Sequence, residues 1–262
     1  MPSPFVSQLA DEWIASGIHS GDLLLVHSNI SRHLRWAIKQ GIEDAPKRII
    51  ESLLEAVGSS GTLLFPTFNF DFSSGTPFDV RNSASQMGLL TETARKWPSA
   101  IRTGHPIYSF VSIGKESQMF SGLKNFSGYG ADSPFALLHQ NGGKIGVIDL
   151  PDQHSMTFYH YVEEALSVPY RFHKKFTGKY VCENGIEKIE TFGLFVRKLE
   201  MGVTTFVDPM ENILWEKGLY TGKRPFEGSG FRVIDAQALY SEVEEVIKTG
   251  SAEGILYKIE KP

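Results

Sequence analysis

Three consecutive pieces of residues 21–68 decide the fold: "GDLLLVHSNI" (Gly21–Ile30), "DAPKRIIESLLEAV" (Asp44–Val57) and "GTLLFPTF" (Gly61–Phe68). The first holds a short apolar run, Leu23–Val26, behind a Gly-Asp turn signal, which predicts a strand buried on both faces. The second places Ile49, Ile50, Leu53, Leu54 and Val57 at helical spacing, with Pro46 in the first turn and Gly58 as the stop. The third is another buried strand. Strand, helix, strand is the pattern of a parallel α/β unit.

Outward from that unit, residues 4–17 predict an amphipathic helix carrying acidic residues, which reads as part of the fold and not as a signal peptide. Residues 69–85 are polar, aperiodic and punctuated by phenylalanines, the texture of a long functional loop. "QMGLLTETARKW" reads as a helix, "AIRTGHPIYSFVSIG" as a strand entered through the His105 loop, and "SPFALLHQNGG" as a short helix capped by Ser133. "KIGVIDL" is a further buried strand, and residues 156–166 a further helix. Past residue 170, "GKYVCENGIEKIETFGLFV" alternates about Glu183-Asn-Gly185, a hairpin signal. A last helix is predicted over 235–248. The expectation is an α/β protein with a central, largely parallel sheet flanked by helices and a C-terminal antiparallel β appendix. Its core covers 1–168, and 169–262 packs on it as part of one structural unit.

The chain of 262 residues is 41% hydrophobic and 21% charged, with a formal net charge of −4. That balance gives no general attraction for nucleic acid or an anionic membrane. No apolar run reaches the roughly 18 residues of a membrane span, so a cytoplasmic protein is expected. One cysteine, Cys182, excludes an internal disulfide and a cysteine-rich zinc site. Trp36 and Trp215, read as exposed aromatics, are candidates for a homodimer interface.

Ligands of α/β proteins collect at the carboxyl ends of the parallel strands. There the chain offers His27, Ser28 and Asn29, then Thr67 and Asn69, then Asp149 and Asp152, with His105 just before the third strand. Hydroxyls and amides suit a hydrogen-bonded ligand better than a metal, and no metal motif is present. P-loop, dinucleotide-binding and nucleophile-elbow patterns are also absent. On the helix at 156–166, His160 and Glu163 are three residues apart and share a face. The carboxylate could therefore orient an imidazole for proton transfer.

In order and spacing, "GDLLLVHSNI", "GTLLFPTFNF", "MGLLTETARKWPSAIRTGHPIYSF", "DSPFALL" and "TFYHYVEEAL" resemble the aminoglycoside 3-N-acetyltransferase family. The resemblance runs through residues 10–170 and continues more weakly through "GFRVIDAQALYSEVEEVI". It implies a non-GNAT acyltransferase using acetyl-CoA or another short acyl-CoA, with no metal. It implies His105 as general base, Glu163 as its acidic partner, and Ser28, Asn29 and Ile30 near the pantetheine arm. Ser109 and Ser133 match family positions near the site. Asn29 stands where the family carries a second serine. Backbone N–H groups near Ser28–Ile30 are candidate donors to the thioester oxyanion.

The acceptor is read from "VPYRFHKKFTGK". Arg171, His173, Lys174, Lys175 and Lys179 form a basic run, with Tyr170 and Phe172 able to stack on a base. That points to a phosphate cradle, and the V-P-Y-R ending resembles those of family members in surface-polysaccharide pathways, a resemblance that implies a nucleotide-diphosphate-linked amino sugar as acceptor. The alternatives are an aminoglycoside antibiotic, whose positive charge calls for the carboxylates Asp149, Asp152, Glu163 and Glu164, and a catalytically idle binding protein.

Overall fold

A computed structural model of the chain describes residues 3–260. Helix α1 (Pro4–Ala15) leads into β1 (Leu23–Ser28), α2 (Ser31–Lys39), α3 (Ala45–Val57) and β2 (Thr62–Pro66). A short β3 (Phe78–Asp79), α4 (Leu89–Arg95), β4 (Ile101–Arg102) and β5 (Phe110–Gly114) follow. Next come α5 (Pro134–Gln140), β6 (Lys144–Ile148), α6 (Phe158–Ala165), β7 (Arg171–Val181) and β8 (Glu187–Arg197). The remaining elements are β9 (Val203–Thr205), α7 (Asp208–Glu216), β10 (Thr221–Gly222), β11 (Phe231–Asp235), α8 (Ala236–Lys248) and β12 (Tyr257–Ile259).

The central sheet runs β10-β11-β6-β1-β2-β5-β4. It is parallel at its centre, where β1 pairs with both β2 and β6, and antiparallel on the flanks. Alternate residues of each strand supply two cores, as a strand's period of two requires. Leu24, Val26, Leu63 and Phe65 pack with Trp13 of α1, Ile49 and Leu53 of α3 and Leu90 of α4. Leu25, Leu64 and Val147 pack on the other face with Phe135 of α5, Phe158 and Val162 of α6 and Leu239 of α8. Each such fully buried Leu, Ile or Phe contributes about 1.5–3 kcal/mol relative to leaving it in water. The expected α/β class with flanking helices therefore holds.

Residues beyond 168 do more than form an appendix. Strand β11 lies antiparallel beside β6, with Arg232 opposite Val147, so this part of the chain completes the central sheet. The separate antiparallel piece is the long β7–β8 hairpin, turned at Gly185 (φ +82°) and joined by β3. Helix α2 went unnoticed in the sequence: it is short and mostly polar, with only His33 and Ala37 buried and Leu34 and Trp36 partly buried against the core. The run around His105 is not one strand. Gly104 and Pro106 break it, and β4 and β5 fold back on each other, closed by the Thr103 N–H to the Phe110 carbonyl. Trp36 is half-buried on Phe5 and Trp215 half-buried against Tyr220 and Arg224, so neither is the exposed aromatic expected of an interface. Among the described residues no helix is long and apolar enough to cross a membrane.

Candidate active site

Helix α6 forms because Phe158, Tyr159, Tyr161 and Val162 bury one face while Pro169 limits its extension. Its opposite edge carries His160, with Glu163 one turn on. A tight turn through Ser167 (φ +51°) then reverses the chain, so that Tyr170 and Arg171 at the root of β7 return to Glu163. His160 Nδ1 is 2.6 Å from Glu163 Oε2, and the Tyr170 hydroxyl donates to Oε1 at 3.0 Å. Arg171 Nε lies 2.7 Å from the same Oε2, misaligned for a hydrogen bond, and so acts as a charge contact.

Burial pushes the Glu163 pKa up, but Arg171 and His160 outweigh it and hold the carboxyl below its ordinary value. An ionised Glu163 at 2.6 Å assigns the His160 proton to Nδ1. Arg171 Nη2, 2.9 Å from that nitrogen, then contributes charge only. Burial first, then Arg171, lowers the His160 pKa, so the ring is neutral near pH 7. Its Nε2 has no partner among the described residues, and the ring borders open space.

That space is a cleft with two arms meeting at His160. The larger, about 710 Å³, is lined by Tyr129, Phe172, Lys174, Phe176 and Arg197 among others. The smaller, about 250 Å³, is lined by Met87, Asp152, Met156, Thr157 and Tyr159 among others. Phe70, Tyr108, Gln153 and Thr205 border both. Asp152 is neutralised in place: Arg232 and the Tyr220 hydroxyl bond Oδ1, both at 2.7 Å, and the Tyr159 hydroxyl bonds Oδ2. A separate cavity of about 300 Å³ beside Gly104, Tyr180 and Cys182 holds no such arrangement. There Lys124 is paired with Glu190, and the Tyr180 hydroxyl is committed to the Gly104 carbonyl.

The expectation for His105 as general base is corrected. The residue is wholly buried, and both ring nitrogens serve the backbone: Nδ1 accepts the N–H groups of Ile107 and Tyr108, and Nε2 faces the Gly193 carbonyl at 3.2 Å. Burial lowers its pKa to about 4. It has no free lone pair and no route to a substrate.

Other expected residues are also structural. Ser109, fully buried, donates to the Thr67 carbonyl and receives two Arg102 N–H groups, which also fixes Thr67. Asn69 bonds Ala84 and Asp71 and shapes its own loop. Ser133 caps α5. Asn29 donates its N–H to Ile148 and accepts that of Ser31, which removes two candidate oxyanion donors. Ile30 is in the core, and none of Ser28, Asn29 and Ile30 lines the cleft.

Asp149, buried in the left-handed region (φ +49°), forms a two-pronged ion pair with Arg32 and accepts the Phe226 N–H. Gly230 must be glycine there, because a Cβ would collide with that carboxylate. Tyr170 and Arg171 support Glu163 instead of cradling phosphate, and the Tyr170 ring stacks on Tyr257. Of the basic run only Arg171 and Lys174 reach the cleft. His173, Lys175 and Lys179 do not line it. The cleft residues Tyr108, Tyr129, Gln153, Arg197, Glu200 and Thr205 escaped notice in the sequence, where nothing in their spacing marks them.

Residues 25–248 match the model of the aminoglycoside 3-N-acetyltransferase family. The chain is 28% identical over 167 residues to aminoglycoside N(3)-acetyltransferase IV of Salmonella sp, covering 63% of this chain and 60% of that protein. It is 26% identical over 183 residues to aminoglycoside N(3)-acetyltransferase VII of Streptomyces paromomycinus, covering 62% and 61%. The matched region thus spans about three fifths of the length of these curated relatives. In fold it is similar to AAC-IIIb in binary complex with CoASH, with TM-score 0.79 and 22% identity over 98% of both chains. It is similar too to AAC-VIa bound to sisomicin, with TM-score 0.74 and 21% identity over 95% of this chain and 98% of that one. The chain belongs to the aminoglycoside 3-N-acetyltransferase family.

Proposed function

We propose that the chain is an N-acyltransferase that moves an acetyl or short acyl group from acyl-CoA to an amine of an amino sugar, with His160 as general base. The observation that carries this reading is the His160–Glu163 pair: a neutral imidazole, its Nδ1–H held by a buried carboxylate, its Nε2 open at the junction of two arms. Two arms suit two substrates whose reacting atoms must meet at one base.

The amine, as the free base, attacks the thioester carbonyl carbon, and the C–N bond forms as His160 Nε2 takes the ammonium proton. Glu163 stabilises the imidazolium so formed. Collapse of the tetrahedral intermediate breaks the C–S bond, and the proton on Nε2 passes to the departing thiolate. Acyl group, proton and thiol balance, and no covalent enzyme intermediate is needed.

Relatives named for aminoglycosides, and solved structures described with CoASH and with sisomicin, support acyl-CoA as donor and an aminoglycoside amine as acceptor. None of these relatives is named for a nucleotide-linked sugar. A thiol-release assay with acetyl-CoA, run against aminoglycosides and nucleotide-linked amino sugars, tests the reading. Amine-dependent release that His160→Ala abolishes is expected; no release above thioester hydrolysis with any amine overturns it.

A further inference from the structure

An amine attacking a thioester puts negative charge on the carbonyl oxygen, and that charge needs donors fixed in place before the reaction begins. The backbone N–H groups of Asn29 and Ser31 are already spent. Beside His160 the cleft offers two tyrosines. The Tyr129 ring meets the His160 ring edge to face, with centroids 5.4 Å apart, and Tyr108 meets Tyr129 in the same way at 4.8 Å. Both line the larger arm, and Tyr108 also borders the smaller one, at the junction where two substrates must meet. Their hydroxyls interact with each other, and neither makes an aligned hydrogen bond to any other group among the described residues. Each phenol carries one donatable proton. A mutual contact uses one of the two, so one O–H is left to give.

Both rings are held where they stand. Tyr108 packs on Phe68 with centroids 4.5 Å apart, and its backbone N–H bonds His105 Nδ1 at 2.9 Å. Gly128 makes room for it, since a Cβ there would lie 3.2 Å from the Tyr108 ring. Tyr129 is buried. Burial pushes both phenols above their ordinary pKa, so each keeps its proton at neutral pH and acts as a donor, not as a second base. Polar neighbours at the junction are committed: the Gln153 amide bonds Thr205 and Val207, and Arg171 bonds the Phe195 carbonyl while its charge serves Glu163.

We propose that the Tyr108–Tyr129 pair supplies the oxyanion donor of the reaction, its free O–H bonding the thioester carbonyl oxygen while His160 takes the proton from the amine. This assignment rests on the acyltransferase reading and adds the electrophilic half to it. The phenol proton stays on its oxygen throughout. The hydrogen bond strengthens as charge develops on the carbonyl oxygen and relaxes when the C–S bond breaks. The second hydroxyl polarises the first, which makes it a better donor than a lone phenol.

Phenylalanine keeps each ring and removes only the hydroxyl. Tyr108→Phe, Tyr129→Phe and the double variant are compared with the full wild-type chain by steady-state kinetics, using acetyl-CoA and an amine that the wild type acylates. Infrared difference spectra of bound acetyl-CoA, isotope-labelled at its carbonyl carbon, supply a second readout. The double variant is expected to lose about 10²–10³-fold in kcat, with KM for acetyl-CoA nearly unchanged and the melting temperature unaltered. Whichever single variant carries most of that loss identifies the donor. The labelled carbonyl band should move to higher frequency in the double variant, because a hydrogen bond to its oxygen is gone; a merely structural role leaves the band in place. Full kcat in the double variant, a loss confined to KM for the amine, or an unmoved band overturns the assignment and leaves His160 as the base. A wild-type chain that releases no thiol with any amine overturns the acyltransferase reading, and this assignment with it.

Discussion

His160 Nδ1 lies 2.6 Å from Glu163 Oε2, with the opposite edge of the ring on the cleft, whereas both nitrogens of His105 are held by backbone groups. The two histidines should therefore fail differently when removed. His160→Ala is expected to lower kcat by about 10²–10⁴-fold with little change in melting temperature. His105→Ala should unfold the chain at lower temperature, because it strands the N–H groups of Ile107 and Tyr108 at about 1–3 kcal/mol each. Steady-state rates beside thermal melts decide it, and a stable, inactive His105→Ala would restore that residue as the base.

Glu163→Gln keeps the shape and removes the charge that holds the Nδ1 proton. A loss of about 10²–10⁴-fold in kcat with KM nearly unchanged is the expected outcome. A change confined to KM would mean that Glu163 contacts substrate instead of positioning His160.

The pH profile depends on the cations. Activity requires neutral His160, whose pKa is lowered by burial and then by Arg171. Removing that cation by Arg171→Met makes the imidazolium easier to form, so the acidic limb of kcat/KM should move to higher pH. A limb that stays put or moves to lower pH contradicts the assigned base.

Stability should also fall with acid. Burial lowers His105 to about 4 and His27 to about 3, both below the ordinary imidazole value of 6.5. Below that value the unfolded chain binds protons that the folded chain refuses. The stability lost is therefore up to roughly 1.4 kcal/mol per pH unit for each ring as pH drops from about 6.5 toward 4. Urea melts between pH 7.5 and 5 measure the slope. A flat profile would show that these rings protonate freely in the folded state.

The Arg32–Asp149 pair pins the loop around 226–230 against β6. Asp149→Ala leaves the guanidinium of Arg32 without its carboxylate and the Phe226 N–H without its acceptor. A stability loss of about 2–4 kcal/mol is expected, read by denaturant midpoint, while kcat should hold because Asp149 is outside the cleft. A kcat loss at full stability would return Asp149 to the substrate site.

What the sequence determined by itself was whatever local periodicity and turn chemistry express. The β1–α3–β2 unit, α1, α5 with its Ser133 cap, the β7–β8 hairpin about Gly185 and α8 were all legible, because apolar spacing and glycine placement act over a few residues. The His160–Glu163 contact was legible for the same reason, one helical turn being enough to join them. Tertiary structure alone decided which polar groups face the cleft and which the backbone consumes. His105, Ser109, Asn69 and Asp149 carry the same residue types as a site would. Only long-range partners such as Gly193, Arg102, Ala84 and Arg32 show their hydrogen-bonding capacity to be filled. Tertiary packing likewise split the basic run, bringing Arg171 and Lys174 to the cleft and leaving His173, Lys175 and Lys179 outside its lining.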